Sequence, residues 1–191
     1  MRTLLLVTIF LLIIFSSGFA QEEKLRLVAE GKYFSIYGDR HLDILSLLKT
    51  LDFDYFLHIE NTFQENEYNL NTLLADTLDA LYLEVSDILE IHIYSYHGKI
   101  YFLPDRKNIS SIVGKNFNNG LNSEGFYWHQ KNAIYISTPD LTLGMLGHEI
   151  AHAIISHYFV VPPSTKVQEI LAGYVEYRLR KQTGSLPQQN Q

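Results

Sequence analysis

The chain has 191 residues and a mass of 22.1 kDa, enough for one domain with a short appendage. At 47% hydrophobic and 19% charged it can bury a core, while a net charge of −6 with no run of Lys or Arg lacks the positive footprint that nucleic acid or an anionic membrane requires. There is no cysteine, which removes disulfides, Cys-based zinc sites, iron–sulfur clusters and thiol catalysis, so any metal must be held by His, Asp or Glu.

Residues 1–20 read as a secretory signal peptide. Arg2 gives the positive start, Leu4–Phe15 is apolar except for Thr8, and Gly18 and Ala20 stand at −3 and −1 of a cut before Gln21. The run is short for a membrane-spanning helix. The expected mature chain is secreted or periplasmic and not stably inserted in a membrane; uncleaved, the segment would anchor it.

The remainder is expected to be one domain over 21–182, with a flexible polar tail over 183–191. Tyr33–Tyr37 is β-rich and predicts a strand. His41–Phe63 carries apolar residues at a helical rhythm, and Asn71–Asp87 predicts a second helix. Ile91–Tyr96 and Lys99–Leu103 flank His97-Gly98, a pattern that predicts a hairpin. Pro104–Glu124, rich in Asn, Ser and Gly, predicts a loop; its Asn108-Ile109-Ser110 is a bare glycosylation triplet. Phe126–His129 and Ala133–Ser137 predict a strand pair about Gln130-Lys131-Asn132. Two closing helices complete an α+β arrangement, helices packed beside a mixed or antiparallel sheet.

The first closing helix is expected to be capped by Thr138, with Pro139 and Asp140 in its first turn. It carries His148-Glu149-Ile150-Ala151-His152. Residues i and i+4 lie on one face, one turn apart. Two imidazoles so placed can share one zinc ion, and Glu149 beside them can take a proton from a water that the metal activates.

A catalytic zinc uses three protein ligands and keeps a fourth position open. Pro162-Pro163 turns the chain, Ser164 can cap the second helix, and Glu169 on that helix is the expected third ligand, with Glu176 as the alternative. Ala172 and Gly173, on the face of Glu169, are expected to let the helices approach closely. Ile170, Leu171, Tyr174 and Val175 are expected to pack into the core. His157 is read as a residue of the helix C-terminus favoured by the dipole. His41, His58, His92, His97 and His129 show no ligand spacing.

Gly147-His148-Glu149-Ile150-Ala151-His152-Ala153 and Glu169-Ile170-Leu171-Ala172-Gly173-Tyr174 together resemble the gluzincin metallopeptidases of the thermolysin-like superfamily, and more narrowly the small peptidase MA-like domains. The second segment is similar to an E-G-L-A-x-Y pattern, with Ile170 where that family often has Gly. The similarity covers roughly residues 133–180. It implies a zincin-like fold in which an HExxH helix is followed by a third-ligand helix. It implies that His148, His152 and Glu169 bind one Zn2+, that Glu149 is the general base, and that Ala133–Ser137 lies beside the cleft.

The expected function is zinc-dependent hydrolysis of peptide bonds in a peptide or protein substrate. Tyr158, Tyr174, Tyr177 and His157 are candidate donors to the tetrahedral oxyanion. The competing readings are a non-catalytic secreted binding protein of zincin fold and a hydrolase of another amide, such as a cell-wall crosslink.

Overall fold

The computed structural model describes residues 25–51, 69–113 and 123–186. The expected signal segment 1–20, the part of the expected first helix beyond residue 51, His58 and residues 187–191 lie outside these. The architecture is α+β: among the described residues five strands form one mixed sheet, and five α-helices pack around it. Among the described residues no helix is long and apolar enough to cross a membrane.

Strands β1 (Arg26–Glu30) and β2 (Phe34–Gly38) run antiparallel, with a register shift between Leu27 and Ala29. Helix α1 (Ile44–Leu51) follows, then α2 (Leu70–Leu89). The Asn69 side chain caps α2 by accepting the Thr72 N–H at 2.8 Å, and Glu90 closes it in the left-handed region at φ 55°. Strand β3 (Gly98–Leu103) pairs parallel to β2 on one side and to β5 (Ala133–Ser137) on the other. Between β3 and β5 lie helix α3 (Arg106–Val113) and strand β4 (Gly125–Trp128), which forms the expected antiparallel pair with β5. The strand order is β1-β2-β3-β5-β4, so β1 and β4 are the edges. Helices α4 (Leu143–Tyr158) and α5 (Thr165–Gln182) end the fold.

The alternation of β5 divides the core. Ile134 and Ile136 face the main cluster with α1, α2, α4 and α5, whereas Ala133 and Tyr135 face a smaller one with Leu103, Ile109 and Ile112.

The predicted hairpin about His97-Gly98 does not form. Residues 91–96 are not a strand, and β3 finds its partners in parallel. Of the residues that suggested a strand, Ile91, Ile93 and Tyr96 pack instead against the core beside α2, and Tyr94 is exposed. Tyr96 is buried with its ring 5.2 Å from Tyr82, and the Tyr82 hydroxyl donates to Ile93 O at 2.9 Å. Nor is 104–124 all loop. Asp105 accepts the Asn108 N–H at 2.9 Å at the start of α3, and Ile109 and Ile112 bury its inner side. The glycosylation triplet sits within that helix.

One carboxylate ties α2 to the sheet. Asp79 accepts the N–H groups of Lys32 and Tyr33 at 2.5 and 2.8 Å. Gly31 lets it approach, since a Cβ there would stand 2.8 Å from both Asp79 oxygens. Burial raises the Asp79 pKa against the pull of these donors. Asp79→Ala strands two backbone donors and is expected to destabilise the fold by about 2–3 kcal/mol, with Asp79→Asn losing roughly half as much. Urea denaturation checks this; equal midpoints for wild type and the alanine variant would remove the tie.

Candidate metal centre

Helix α4 begins later than its sequence suggested. Thr138–Asp140 forms a separate 3-10 turn, and Thr142 caps the helix by accepting the Met145 N–H at 3.1 Å. Asp140 is occupied elsewhere. Arg106 donates to it from Nε at 2.8 Å, and the Ser137 hydroxyl from 2.6 Å. These bonds, Arg106 foremost, pull its pKa down to about 2. A residue already held by a tertiary partner is not available to the helix terminus.

Helix α5 lies against α4, and glycines on α4 permit the approach. A Cβ at Gly147 would overlap the buried Leu179 side chain, and one at Gly144 would meet Arg180 and Glu176. Gly173, expected to serve this purpose, faces open space. The buried side of α5 is Ala172, Val175 and Leu179. Ile170 and Tyr174, expected in the core, are exposed, and Leu171 is half-buried. Ser164 occupies the cap position without a side-chain capping bond. At the far end Gly184, at φ 68°, closes the helix: Ser185 N–H reaches Arg180 O at 2.9 Å. The first residues of the expected flexible tail are thus a helix cap.

This pairing brings the predicted ligands together. His148 Nε2 and His152 Nε2 are 3.2 Å apart. Glu169 sets one carboxylate oxygen 3.4 Å from His148 Nε2 and the other 3.4 Å from His152 Nε2. One ion bound tetrahedrally through bonds of about 2.0–2.1 Å separates its ligand atoms by about 3.3–3.4 Å. The two imidazole nitrogens stand at about that spacing, and with one Glu169 oxygen the three ligand atoms lie within 4.8 Å of one another, so the group could hold a metal cation. The chemistry fits as well, because two imidazoles and one carboxylate are borderline N/O donors.

Helix α5 also brings a polar side chain beside each histidine. Glu176 Oε2 stands 3.3 Å from His148 Nδ1, a buried atom with no hydrogen-bond partner among the described residues. The Gln168 side chain hydrogen-bonds His152, while its amide nitrogen donates to Pro163 O at 2.8 Å. Glu176 thus stands at Nδ1 of His148, on the side of the ring away from the Nε2 atoms that converge with Glu169. Burial, and then the neighbouring His148, lower the pKa of His152. Both effects favour the neutral, ligating imidazole.

Glu149 lies one position from His148 and is only 9% exposed. Burial lifts its pKa to about 7, the charges of Glu169 and Glu176 add to the rise, and the Tyr127 N–H opposes it. A carboxyl group poised near neutrality is suited to taking and returning a proton.

The cleft over these groups has a volume of about 470 Å³. Edge strand β4 forms one wall with Gly125, Phe126 and Tyr127; Ser123, His129, Ser156 and Gln168 complete the lining. None of the expected oxyanion donors Tyr158, Tyr174, Tyr177 and His157 lines it. Tyr174 and Tyr177 stand on the outer side of α5, and His157 Nδ1 donates to Ala153 O, 2.9 Å away, in the last turn of α4. Tyr127, His129, Ser156 and Gln168 take their place as polar groups at the cleft. Ser156 is one turn beyond His152, so helical spacing from that residue points to it. Tyr127 and His129 carry no such signal, because only the sheet order brings β4 to the cleft.

In comparisons with family models, with curated proteins and with solved structures, nothing matches this chain.

Proposed function

We propose that this chain is a zinc-dependent metallopeptidase of gluzincin type, with His148, His152 and Glu169 as ligands of one zinc ion and Glu149 as general base. The observation that supports the reading is the convergence of two imidazole nitrogens 3.2 Å apart and a carboxylate with an oxygen 3.4 Å from each, with a buried carboxyl group of raised pKa beside them. Zinc held there supplies Lewis acidity, which polarises a carbonyl and makes water a stronger acid.

The chain's own residues divide the remaining work. Glu149 accepts a proton from the attacking water and returns it to the leaving amine. Its burial keeps the proton from bulk solvent. Glu176 and Gln168 fix the two imidazole rings, so that neither must reorganise when a ligand enters. Strand β4 is a sheet edge at the cleft wall, and an extended peptide can add to it through backbone hydrogen bonds. Such pairing demands little of the substrate side chains. The polar lining gives no deep apolar pocket for one preferred residue.

The direct test is hydrolysis of a mixed peptide library by the purified chain. Cleavage is expected, abolished by a zinc chelator and restored by added Zn2+. Zinc binding without cleavage of peptides would favour a non-catalytic binding protein, and cleavage confined to cell-wall crosslinks would assign another amide.

A further inference from the structure

We propose that the outer side of α5, with the turn before it, is a docking surface for an anionic lipid bilayer. The proposal stands whether or not the cleft holds zinc. Helix α5 has two apolar sides, of which only Ala172, Val175 and Leu179 are buried. Val167, Ile170, Tyr174 and Tyr177 recur at spacings of three, four and three, which lines them up on the opposite side. All four are exposed, Ile170 by 62%. The turn adds Tyr158 and Phe159, then Val160 at 100% and Val161 at 82% exposure. These eight residues present on the order of 800 Å² of side-chain surface, beyond the largest patch of an ordinary monomer, roughly 300–600 Å².

The charges of α5 sort by side. Glu169 and Glu176 face the histidine pair, and Arg180 is held by Glu176 at 2.6 Å. Lys166, Arg178 and Lys181 are left to flank the apolar stripe, and Arg178 leans over the Tyr174 ring while donating to its hydroxyl at 2.7 Å. The outer side of the helix thus carries cations and no acid, in a chain of net charge −6. The absence of a basic run had argued against an anionic membrane; the helix assembles the positive footprint from residues scattered in sequence.

This charge pattern chooses the occupant. A second copy pairing antiparallel through the same stripe would set Lys166 near Lys181, cation against cation. A fully exposed Val160 is a protrusion, not the floor of a groove for a peptide. An anionic bilayer satisfies both features. The Val160-Val161 tip enters the acyl boundary, the tyrosines sit at headgroup depth, and the Lys and Arg stems reach outward to lipid phosphates and carboxylates.

The lack of cysteine permits a clean test. Val160→Cys in the full chain accepts one environment-sensitive fluorophore, and Lys107→Cys, on α3 across the sheet, is the control. Vesicles of phosphatidylcholine and phosphatidylserine in equal parts should shift emission at position 160 to the blue and expose that label to acyl-chain quenchers. Position 107 should not respond, and phosphatidylcholine alone should act far more weakly at position 160. Replacing Lys166, Arg178 and Lys181 by Gln should raise the lipid needed for half the response on the order of a hundredfold. No response at position 160, an equal response at 107, or an unchanged response in the triple variant would overturn the proposal. A shift that grows with protein concentration and without lipid would assign the face to a second copy and overturn it as well.

Discussion

Replacing His148, His152 or Glu169 with alanine is expected to weaken zinc binding by a factor on the order of 10²–10³ for each ligand. That magnitude follows from sharing roughly 10–16 kcal/mol of binding energy among four bonds. Wild type should hold one equivalent of zinc through dialysis, and the three variants should lose it. Glu176→Ala should behave differently. Its carboxylate is 3.3 Å from Nδ1 of His148, on the far side of the ring from the convergent nitrogens. Its loss should free the ring and lower affinity only about 10- to 100-fold. Competition with a fluorescent chelator measures all four on one scale. If Glu176→Ala matches the ligand variants, Glu176 is itself a ligand. If none of the four affects binding, the cluster is an ordinary polar contact between two helices.

Glu149→Gln is expected to keep full zinc occupancy and to lose peptide hydrolysis by about 10²–10⁴-fold in kcat. Gln fills the same buried space and still accepts the Tyr127 N–H, but it cannot take a proton. KM should change little if Glu149 contributes no substrate contact. Full activity in this variant would overturn the general-base assignment. The same substitution has a signature without zinc. The folded carboxyl titrates near 7, above its ordinary value of 4.5. A raised carboxyl pKa means that folding disfavours the charged form. The stability of the metal-free chain therefore falls through this group as pH rises from about 4.5 towards 7, by on the order of 2–3 kcal/mol. Glu149→Gln should remove that slope, read as the difference between the two thermal melting curves across pH.

The His148, His152 and Glu169 group was the most legible part of this chain because helical geometry is local. His148 and His152 must share a face once their segment is a helix, whatever else the chain does. Glu169 was legible for a related reason: a proline-bearing turn forces the next helix back on the first, and a carboxylate on its near side has little else to meet. Glu176 was recognised as a relevant carboxylate, but its position behind the ring depends on the crossing of α4 and α5. That crossing is determined by Gly144 and Gly147 against Arg180, Glu176 and Leu179, not by Gly173.

Strands were read less well, because a strand's partner is remote. Ile91–Tyr96 has the composition of a strand, yet it packs across α2, where Tyr96 stacks on Tyr82. Strand β3 pairs instead with β2 and β5, some 60 and 30 residues away in sequence.

Residue type and spacing alone determined that this protein can hold a metal only through His and carboxylate side chains, and that one helix offers two imidazoles and a carboxyl group within a single turn. Tertiary structure decided which side of α5 is buried, what stands behind each histidine and which strand walls the cleft. Periodicity reports that a helix has an apolar side but, where two sides are apolar, not which of them another helix will cover. That choice follows from steric fit between elements, and in α5 the fit of Ala172, Val175 and Leu179 against α4 left Ile170 and Tyr174 facing outward.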